Sequence, residues 1–322
     1  MIKLSIAKKP KVLTIVGPTA SGKTDLSYRI ADEIKLKSGK SVEIISADSR
    51  QIYQHIPIAT AQPPEEYTKK YKHHFINQFG LGAEFNAGTF GKMGRELISL
   101  IFNRGKIPLV VGGSGLYIRS LVYGLFEIDD VLENEHGKEN QKKIRKELSI
   151  KLKTKGLEAL IAELKKVDPD TASEMHNVTE RRVIRALEAF YLTGIPISKL
   201  KNKKVEIKFD FIQIGINKER PVLYENINKR VDKMIKAGLL NEVKGLKNKG
   251  FDSGKYNSLN TVGVKEVMDY LDEKIGYDRM IELIKQNTRR YAKRQMTWFR
   301  KDKNIKWVSF DLYHHWVDMA LE

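Results

Sequence analysis

Short runs of apolar residues alternate with helical patterns over the first third of the chain. Residues 11–16, 41–47 and 107–111 are strand-like runs, whereas residues 25–36 and 88–102 have the spacing of apolar positions that is typical of helices. Strands that alternate with helices in this way predict a parallel α/β sheet with helices on both faces. In such sheets the chemistry lies at the carboxyl ends of the strands.

The pattern changes near residue 127. Residues 127–140 are polar and acidic and are expected to form a loop, and no strand pattern occurs between 127 and 204. This stretch therefore predicts an all-helical insertion. Its expected elements are a helix over 141–166 that Gly156 interrupts, a turn at Asp168-Pro169, and a helix over 180–193 that Gly194 ends.

Strand character returns after the insertion, and long helices follow it. Two domains are expected: a core of residues 1–126 and 205–322, and the insertion of residues 127–204. The predicted elements of the second half of the core are strands over 209–216 and 305–310 and helices over 219–237, 239–248, 262–272 and 277–300.

Composition narrows the possible partners. The chain has 322 residues and a formal net charge of +18, which favours a nucleic-acid partner; a lysine-rich surface without a function is the alternative. There is no cysteine, so disulfides, thiolate metal sites and cysteine nucleophiles are excluded. No apolar run reaches the length of a membrane span. We expect a cytoplasmic monomer that does not bind membranes.

The first strand leads into a complete P-loop. Residues 17–24 read GPTASGKT and fit G-x-x-x-x-G-K-[ST] without a mismatch, between a strand and a helix. The backbone N–H groups of such a loop and its lysine form a nest for linked phosphates. The motif alone leaves open an ATPase, a GTPase or a kinase. The residues expected to contact a polyphosphate or a diphosphate are Gly17, Thr19, Ala20, Ser21, Gly22, Lys23 and Thr24.

Asp48 follows the second strand, which we expect beside the P-loop strand. The third strand ends in glycines with no acid after them, so this edge offers one carboxylate rather than a pair. That favours Asp48 as a base acting on an acceptor; an Asx-turn is the alternative. Gly17, Asp48 and the segment 112–114 all follow strands, and we expect them to converge.

Basic and aromatic residues alternate over 285–303, as on nucleic-acid surfaces, although a solvated basic helix face fits the pattern equally well. Arg181 and Arg185 share one helical face, which favours a polyanion between them. His73-His74 has no third ligand at a useful spacing, so we expect the pair to pack or to cap a turn rather than to bind zinc.

Taken together, these motifs resemble the tRNA dimethylallyltransferases, also called tRNA isopentenyltransferases. The resemblance covers nearly the whole chain, and the order of the motifs is more specific than any one of them. The motifs are GPTASGKT at 17–24, SADS at 46–49, GGSGLY at 112–117, VDP at 167–169, RRVIRALE at 181–188, the segment 220–234, Val262-Gly263 and AKRQMTWFR at 292–300.

The resemblance implies transfer of a dimethylallyl group from dimethylallyl diphosphate to N6 of the adenosine beside the anticodon of tRNA (position 37). The P-loop would then hold the diphosphate of the prenyl donor, with magnesium (Mg2+) at Thr24. Asp48 would be the general base, and Ser114 and Arg220 would complete the catalytic set. Ser114 stands where the family often has threonine, which keeps the hydroxyl.

The resemblance also implies a tRNA surface, with the insertion gripping the anticodon arm. The residues it assigns to tRNA contact are Asp48, Ser49, Arg50, Gln51, Ser114, Arg145, Arg181, Arg182, Arg185, Asn260, Gly263, Lys265, Lys293, Arg294, Gln295, Trp298 and Arg300. Ala59 and Gln62 depart from the glycine and lysine that the family often has. A prenyltransferase for free adenylate, a P-loop kinase or NTPase, and a non-catalytic RNA-binding protein are the alternatives.

Overall fold

The computed structural model describes residues 9–125, 135–176, 178–201, 205–309 and 312–322. The chain divides into two compact units. The first unit is formed by Met1–Val122 with Ile207–Glu322, and the second by Tyr123–Glu206.

The first unit contains a six-stranded sheet with helices around it. Its strands are β1 (Lys11–Val16), β2 (Val42–Ser46), β3 (Lys72–His74), β4 (Ile107–Gly112), β5 (Asp210–Ile216) and β6 (Lys306–Val308). The helices before the second unit are α1 (Lys23–Ser38), α2 (Glu65–Lys70), α3 (Ala87–Asn103) and α4 (Gly115–Tyr123). The helices after it are α9 (Arg220–Lys236), α10 (Leu239–Asn248), α11 (Val264–Leu271), α12 (Tyr277–Phe299) and α13 (His314–Leu321).

All strand pairs are parallel, and the strand order is β3-β2-β4-β1-β5-β6. The predicted parallel α/β sheet is confirmed. The expected neighbourhood of β1 and β2 is wrong, because β4 pairs with both strands and lies between them. The connection from β1 through α1 to β2 therefore skips one strand position, which β4 fills later in the chain. The local sequence around β1 and β2 does not reveal this.

The core lies between the central strands and the helices that cover them. Leu13, Ile44, Leu109 and Ile214 come from four different strands and are almost fully buried. On α1 the buried residues Leu26, Ile30 and Ile34 recur every four positions, so one helix face is apolar and packs onto the sheet. Gly39 ends α1 with a φ of 69°, a left-handed conformation that glycine adopts without strain.

In the described residues of the second unit, every regular element is a helix. They are α5 (Glu135–Val167), α6 (Pro169–Glu174), α7 (Glu180–Thr193) and α8 (Ile197–Lys201). Leu148 and Leu160 of α5 pack with Val183 and Leu187 of α7 in a core of their own.

The predicted breaks of the insertion coincide with glycines and a cap. Gly156 interrupts α5 with a φ of 76° and a ψ of 173°, and Gly194 ends α7 with a φ of 68°. Asp168 caps α6 by accepting a hydrogen bond from the Thr171 N–H at 3.1 Å. The loop expected over 127–140 is wrong for residues 135–140, which are helical, and residues 127–134 lie outside the described residues.

Outside the insertion, most predicted elements are found within two residues of their expected ends. Strand β3 was not predicted, because three residues of sequence Lys-His-His carry no apolar alternation. The last strand is shorter than predicted and ends at Val308. None of the helices in the described parts of the chain is long and apolar enough to cross a membrane.

Candidate active site

The loop after β1 has the geometry of a phosphate nest. Gly17 and Gly22 have φ values of 154° and 96°, and Ala20 between them has a φ of 61°. A side chain at Gly17 would bring its Cβ to 3.1 Å from Ser21 Oγ. Helix α1 begins directly after the loop, so its unpaired N–H groups face the same space. Lys23 Nζ donates to the Pro18 carbonyl at 2.6 Å, folding the lysine back across the loop.

The ends of β1, β2 and β4 meet, as predicted. A Cβ on Gly113 would lie 3.3 Å from the Gly17 carbonyl oxygen, and one on Gly112 would collide with Ala47 at 2.2 Å. These close approaches explain why glycines follow β4. A cavity of about 340 Å³ opens at this edge, and its walls include Thr19, Lys23, Thr24, Asp48, Gly112 and Gly113.

Asp48 sits in this cavity in a fixed orientation. Its Oδ1 accepts hydrogen bonds from the backbone N–H groups of Arg50 at 2.8 Å and Gln51 at 3.3 Å. These are Asx-turn contacts, so the Asx-turn and the base were not exclusive alternatives. The turn uses Oδ1, which orients the carboxylate within the cavity.

Ser114 connects the loop after β4 to the segment after β2. It is 8% exposed, its Oγ accepts from the Ser49 N–H at 2.9 Å, and it donates to Ser49 Oγ at 3.2 Å. The Ser114 N–H also donates to the Ala47 carbonyl at 3.2 Å. Ser114 therefore fixes the backbone on both sides of Asp48.

The cavity is lined by one carboxylate, Asp48, and by four cations, and burial perturbs two of these cations, Lys23 and Arg230. Burial and the nearby Arg230 together lower the pKa of Lys23 to about 7, although the charge of Asp48 opposes both effects. Burial likewise lowers the pKa of Arg230, and Asp48 again opposes it. The electrostatics therefore suit an anion that can satisfy Lys23 and Arg230 together.

Arg230 was missed by sequence reasoning, whereas Arg220, which was predicted, is placed elsewhere. Arg220 opens α9, is exposed, and lies over the ring of Tyr224 at 5.1 Å; it is not part of the cavity wall. Arg230 lies in the wall and donates to the Thr60 carbonyl at 3.4 Å. The sequence signal that could have identified Arg230 is the helical periodicity, because Arg230 shares the buried face of α9 with Ile227 and Met234.

Helix α12 forms another wall of the cavity. The phenol of Tyr291 lies in this wall, and burial together with the charge of Asp48 raises its pKa to about 12. Arg294 also lines the cavity, with its guanidinium 5.7 Å from the centre of the Tyr291 ring. The sequence analysis assigned Arg294 to tRNA contact and overlooked Tyr291, which looked like one aromatic residue among several.

Gln295 has both ends of its amide engaged inside the protein. Its Oε1 accepts from the Thr19 N–H at 2.9 Å, and its Nε2 donates to the Gly113 carbonyl at 2.9 Å. The residue is 6% exposed. It was predicted to contact tRNA, but in this structure it ties the P-loop to the loop after β4.

The other residues predicted to contact tRNA in the first unit line the cavity, border a surface hollow, or lie outside both. Ser49, Arg50, Gln51 and Asn260 line the cavity beside Asp48. Lys293 and Trp298 border a shallow surface hollow with Arg294, Thr297 and Lys301. Arg300 and Lys265 are exposed, and Gly263 precedes α11 with a φ of 98°.

Trp298 is 42% exposed and rests on Gly115 at the start of α4. A Cβ on Gly115 would come within 2.1 Å of the indole Cδ1. The glycine is therefore needed to seat the indole, whose remaining surface faces solvent.

Ala59 and Gln62, which differ from the residues that the family often has, lie in a loop that is held by hydrogen bonds to Glu242 and Gln51. The N–H groups of Ile58 and Ala59 donate to the two carboxylate oxygens of Glu242 at 2.8 and 2.9 Å. Burial raises the pKa of Glu242, and these two hydrogen bonds oppose that shift. Gln62 Nε2 donates to the Gln51 carbonyl at 3.0 Å. The loop is thus anchored to the segment that follows Asp48.

In the second unit, the predicted arginines lie on two helices. Arg145 is on α5, and Arg181, Arg182 and Arg185 are on α7, where the first two are exposed. A polyanion was expected between Arg181 and Arg185, but the anion beside Arg185 is a carboxylate of the protein: Glu188 lies 2.9 Å from Arg145 Nε and 3.5 Å from Arg185 Nη1.

The histidine pair lies on β3, and both side chains make polar contacts within the protein. His73 Nε2 and the Tyr28 hydroxyl are 2.9 Å apart, and His74 Nε2 is 2.6 Å from a carboxylate oxygen of Glu43. Across the residues that the structure describes, no group of three His, Asp or Glu side chains could hold a metal ion.

A P-loop on a parallel sheet, with one oriented carboxylate and four cations in the same cavity, defines a group-transfer enzyme for a phosphate-bearing substrate. The family model described as IPP transferase matches residues 51–302. This chain belongs to the IPP transferase family. The resemblance found in the sequence is confirmed.

Relatives and solved structures agree with this assignment. The tRNA dimethylallyltransferase of Acetivibrio thermocellus is 42% identical over 93% of this chain and 92% of its own length. The crystal structure of the full-length tRNA isopentenylpyrophosphate transferase of Bacillus halodurans is 35% identical, with a TM-score of 0.67 over 98% of this chain and 95% of its own. A eukaryotic dimethylallyltransferase acting on tRNA is 29% identical, with a TM-score of 0.77 over 95% of this chain and 75% of its own.

Proposed function

We propose that this protein transfers a dimethylallyl group from dimethylallyl diphosphate to N6 of the adenosine beside the anticodon of tRNA, releasing diphosphate. The observation that carries the proposal is the shared cavity in which Lys23 and Arg230 face the same space as Asp48. The family supplies the reaction class, and the cavity supplies an anion site and a base at one place.

The P-loop would hold the diphosphate as a leaving group. Its backbone N–H groups and the start of α1 favour phosphate oxygens. As the bond between carbon C1 and oxygen breaks, negative charge grows on the diphosphate, and the ammonium of Lys23 and the guanidinium of Arg230 stabilise it. Arg220, which the resemblance placed in the catalytic set, is outside the cavity wall, and we assign this stabilising role to Arg230 instead.

Thr24 suits a magnesium ion that is bound mainly through the diphosphate. Its side chain lies in the cavity wall at the first turn of α1, where a P-loop hydroxyl is placed to bind Mg2+. When bound, the ion would neutralise part of the phosphate charge. A single hydroxyl and phosphate oxygens match the preference of Mg2+ for few protein ligands.

Asp48 would act as the general base. The lone pair of the N6 amine is delocalised into the adenine ring, so the amine is a weak nucleophile until its proton can leave. In the proposed step the N6–C1 bond forms, the C1–O bond breaks with its electron pair going to the diphosphate, and the N6 proton passes to the Asp48 carboxylate. The two N–H groups on Oδ1 keep the carboxylate in place for this transfer.

The adenosine must leave its stack to reach this cavity. Enzymes that modify a base extrude it into a pocket and pay for the lost stacking with contacts elsewhere. The basic, partly aromatic surface of α12 and the arginines of the second unit could supply such contacts to the RNA backbone. A net charge of +18 supports an RNA acceptor over free adenylate.

The test is direct. The protein is incubated with dimethylallyl diphosphate, Mg2+ and an anticodon stem-loop RNA with an adenosine-rich loop, and the RNA is weighed by mass spectrometry. One added dimethylallyl group per RNA is expected. The matched controls are a stem-loop with guanosine at the target position and free AMP, neither of which should gain mass.

Three results would refute the proposal. No mass gain on the RNA would remove the prenyltransferase, and release of phosphate from ATP at a comparable rate would favour a kinase or NTPase. Equal modification of AMP would identify the free-adenylate enzyme instead.

A further inference from the structure

Glu188 is a buried carboxylate at the centre of the second unit's arginines. It lies on α7 and is 2% exposed. A single oxygen, Oε1, accepts from Arg145 Nε at 2.9 Å and from Gln141 Nε2 at 2.5 Å, and lies 3.5 Å from Arg185 Nη1. A buried charge is costly unless it is paired, and here it is paired with two cations.

The two arginines remain partly open to solvent. Their side chains are 49% and 43% exposed, although both reach the same buried oxygen. Each guanidinium has five N–H donors, and the contacts with Glu188 use only a minority of them. Arg145 comes from α5 and Arg185 from α7, so the carboxylate joins two helices at their exposed surface.

We infer that Glu188 is a positioning residue that holds Arg145 and Arg185 as a preorganised pair for one backbone phosphate of the RNA substrate. This inference rests on the proposed function. Two guanidinium groups and one carboxylate leave a net charge of +1 at the pair, which suits a phosphate oxygen. Fixing both arginines in advance lowers the conformational entropy that is lost when RNA binds.

If Glu188 acted only through its charge, its removal would change the affinity for RNA in the opposite direction. Removing a negative charge from a basic protein should strengthen binding to a polyanion. Removing a positioning carboxylate should weaken binding, because both arginines become mobile. The direction of the change in affinity therefore separates the two roles.

The key variant is Glu188→Gln, which preserves the size of the side chain. Its matched control is Glu163→Gln on α5, which removes a carboxylate from the same unit. Glu163 is paired with Lys151 rather than with two arginines. The measurement is the Kd for an unmodified tRNA transcript, by fluorescence anisotropy, at several salt concentrations.

We expect Glu188→Gln to weaken binding by roughly three- to tenfold, in line with the cost of ordering rotamer-rich side chains on binding. Glu163→Gln should bind as tightly as the unchanged protein or slightly more tightly. Equal affinities for the two variants, or tighter binding by Glu188→Gln, would overturn the inference. If the unchanged protein does not bind tRNA at all, the proposed function fails as well.

Two further measurements separate positioning from loss of folding. In the prenyl-transfer assay, Glu188→Gln should raise KM for the RNA while kcat at saturating RNA stays the same; a poorly folded variant would lose kcat in proportion to its inactive fraction. Arg145→Ala and Arg185→Ala should have coupled effects on affinity when Glu188 is present and additive effects in the Glu188→Gln background. The same coupling in both backgrounds would contradict the inference.

Discussion

Raising the pH above 7 is expected to weaken binding of the diphosphate donor through Lys23. Burial and Arg230 lower the pKa of this lysine to about 7 in the unbound cavity. A diphosphate beside the ammonium raises that pKa again, because the charged form gains an opposite charge. Binding therefore takes up a proton at any pH above about 7, and by linkage the affinity falls as the pH rises.

The size of the effect follows from the protonated fraction of Lys23. With a pKa of about 7, half of the lysines carry a proton at pH 7, and about 1% do at pH 9. The Kd should rise by at most about 50-fold over this range, equivalent to about 2.3 kcal/mol. Lys23 retains some contact with solvent, so this value is an upper bound.

The assay is isothermal titration calorimetry with a non-reactive analogue of dimethylallyl diphosphate at fixed Mg2+. Lys23→Arg is the matched control, since a guanidinium stays charged across this range. Titrations at pH 8 in buffers of different ionisation enthalpy should also show uptake of close to one proton, from a group with a pKa of about 7.

The same pH dependence of Kd for the unchanged protein and for Lys23→Arg would refute this role of Lys23. In that case Lys23 would be charged throughout, and any change in Kd would come from the ligand or from another group.

Three further predictions concern other parts of the site. Asp48→Ala should lower single-turnover prenyl transfer by at least about a hundredfold, the scale of a lost general base, with tRNA affinity little changed; retained turnover would exclude Asp48 as the base. Lys293→Ala should reduce the slope of log K against log salt for tRNA by about one, whereas an unchanged slope would mean no phosphate contact. Gln295→Leu should lower the free energy of unfolding in urea by about 1–3 kcal/mol, because the Thr19 N–H and the Gly113 carbonyl lose their hydrogen-bond partner. An unchanged free energy of unfolding would show that water replaces the amide.

The parts of the site that sequence predicted are those with local causes. The P-loop depends on a few neighbouring residues, so a short pattern suffices, and the same holds outside the site for Gly194 at the end of α7. The Asx-turn at Asp48, which was the alternative to a base, is equally local. The convergence of strand ends at the cavity followed from the parallel sheet, because all the strands finish at one edge.

What the sequence did not reveal depends on contacts between distant positions. The place of β4 between β1 and β2 is a property of the whole sheet. Gln295 meets partners 276 and 182 residues away, and nothing near it in the chain distinguishes it from a surface glutamine. Arg230 became recognisable only once the buried face of α9 was known, since basic residues are common along that helix.

The strand order also bears on the proposed role of Asp48 as the general base. Neighbouring strands lie about 4.8 Å apart, so two spacings, about 10 Å, separate the strand that ends in the P-loop from the strand that precedes Asp48. A displacement at carbon needs the leaving oxygen, the carbon and the attacking nitrogen roughly in line, with the base beyond the nitrogen. A separation of this size leaves room for that arrangement between the diphosphate and the carboxylate. A strand next to β1 would have brought the carboxylate closer to the phosphates, where it would repel the leaving group instead of receiving the proton of the incoming amine.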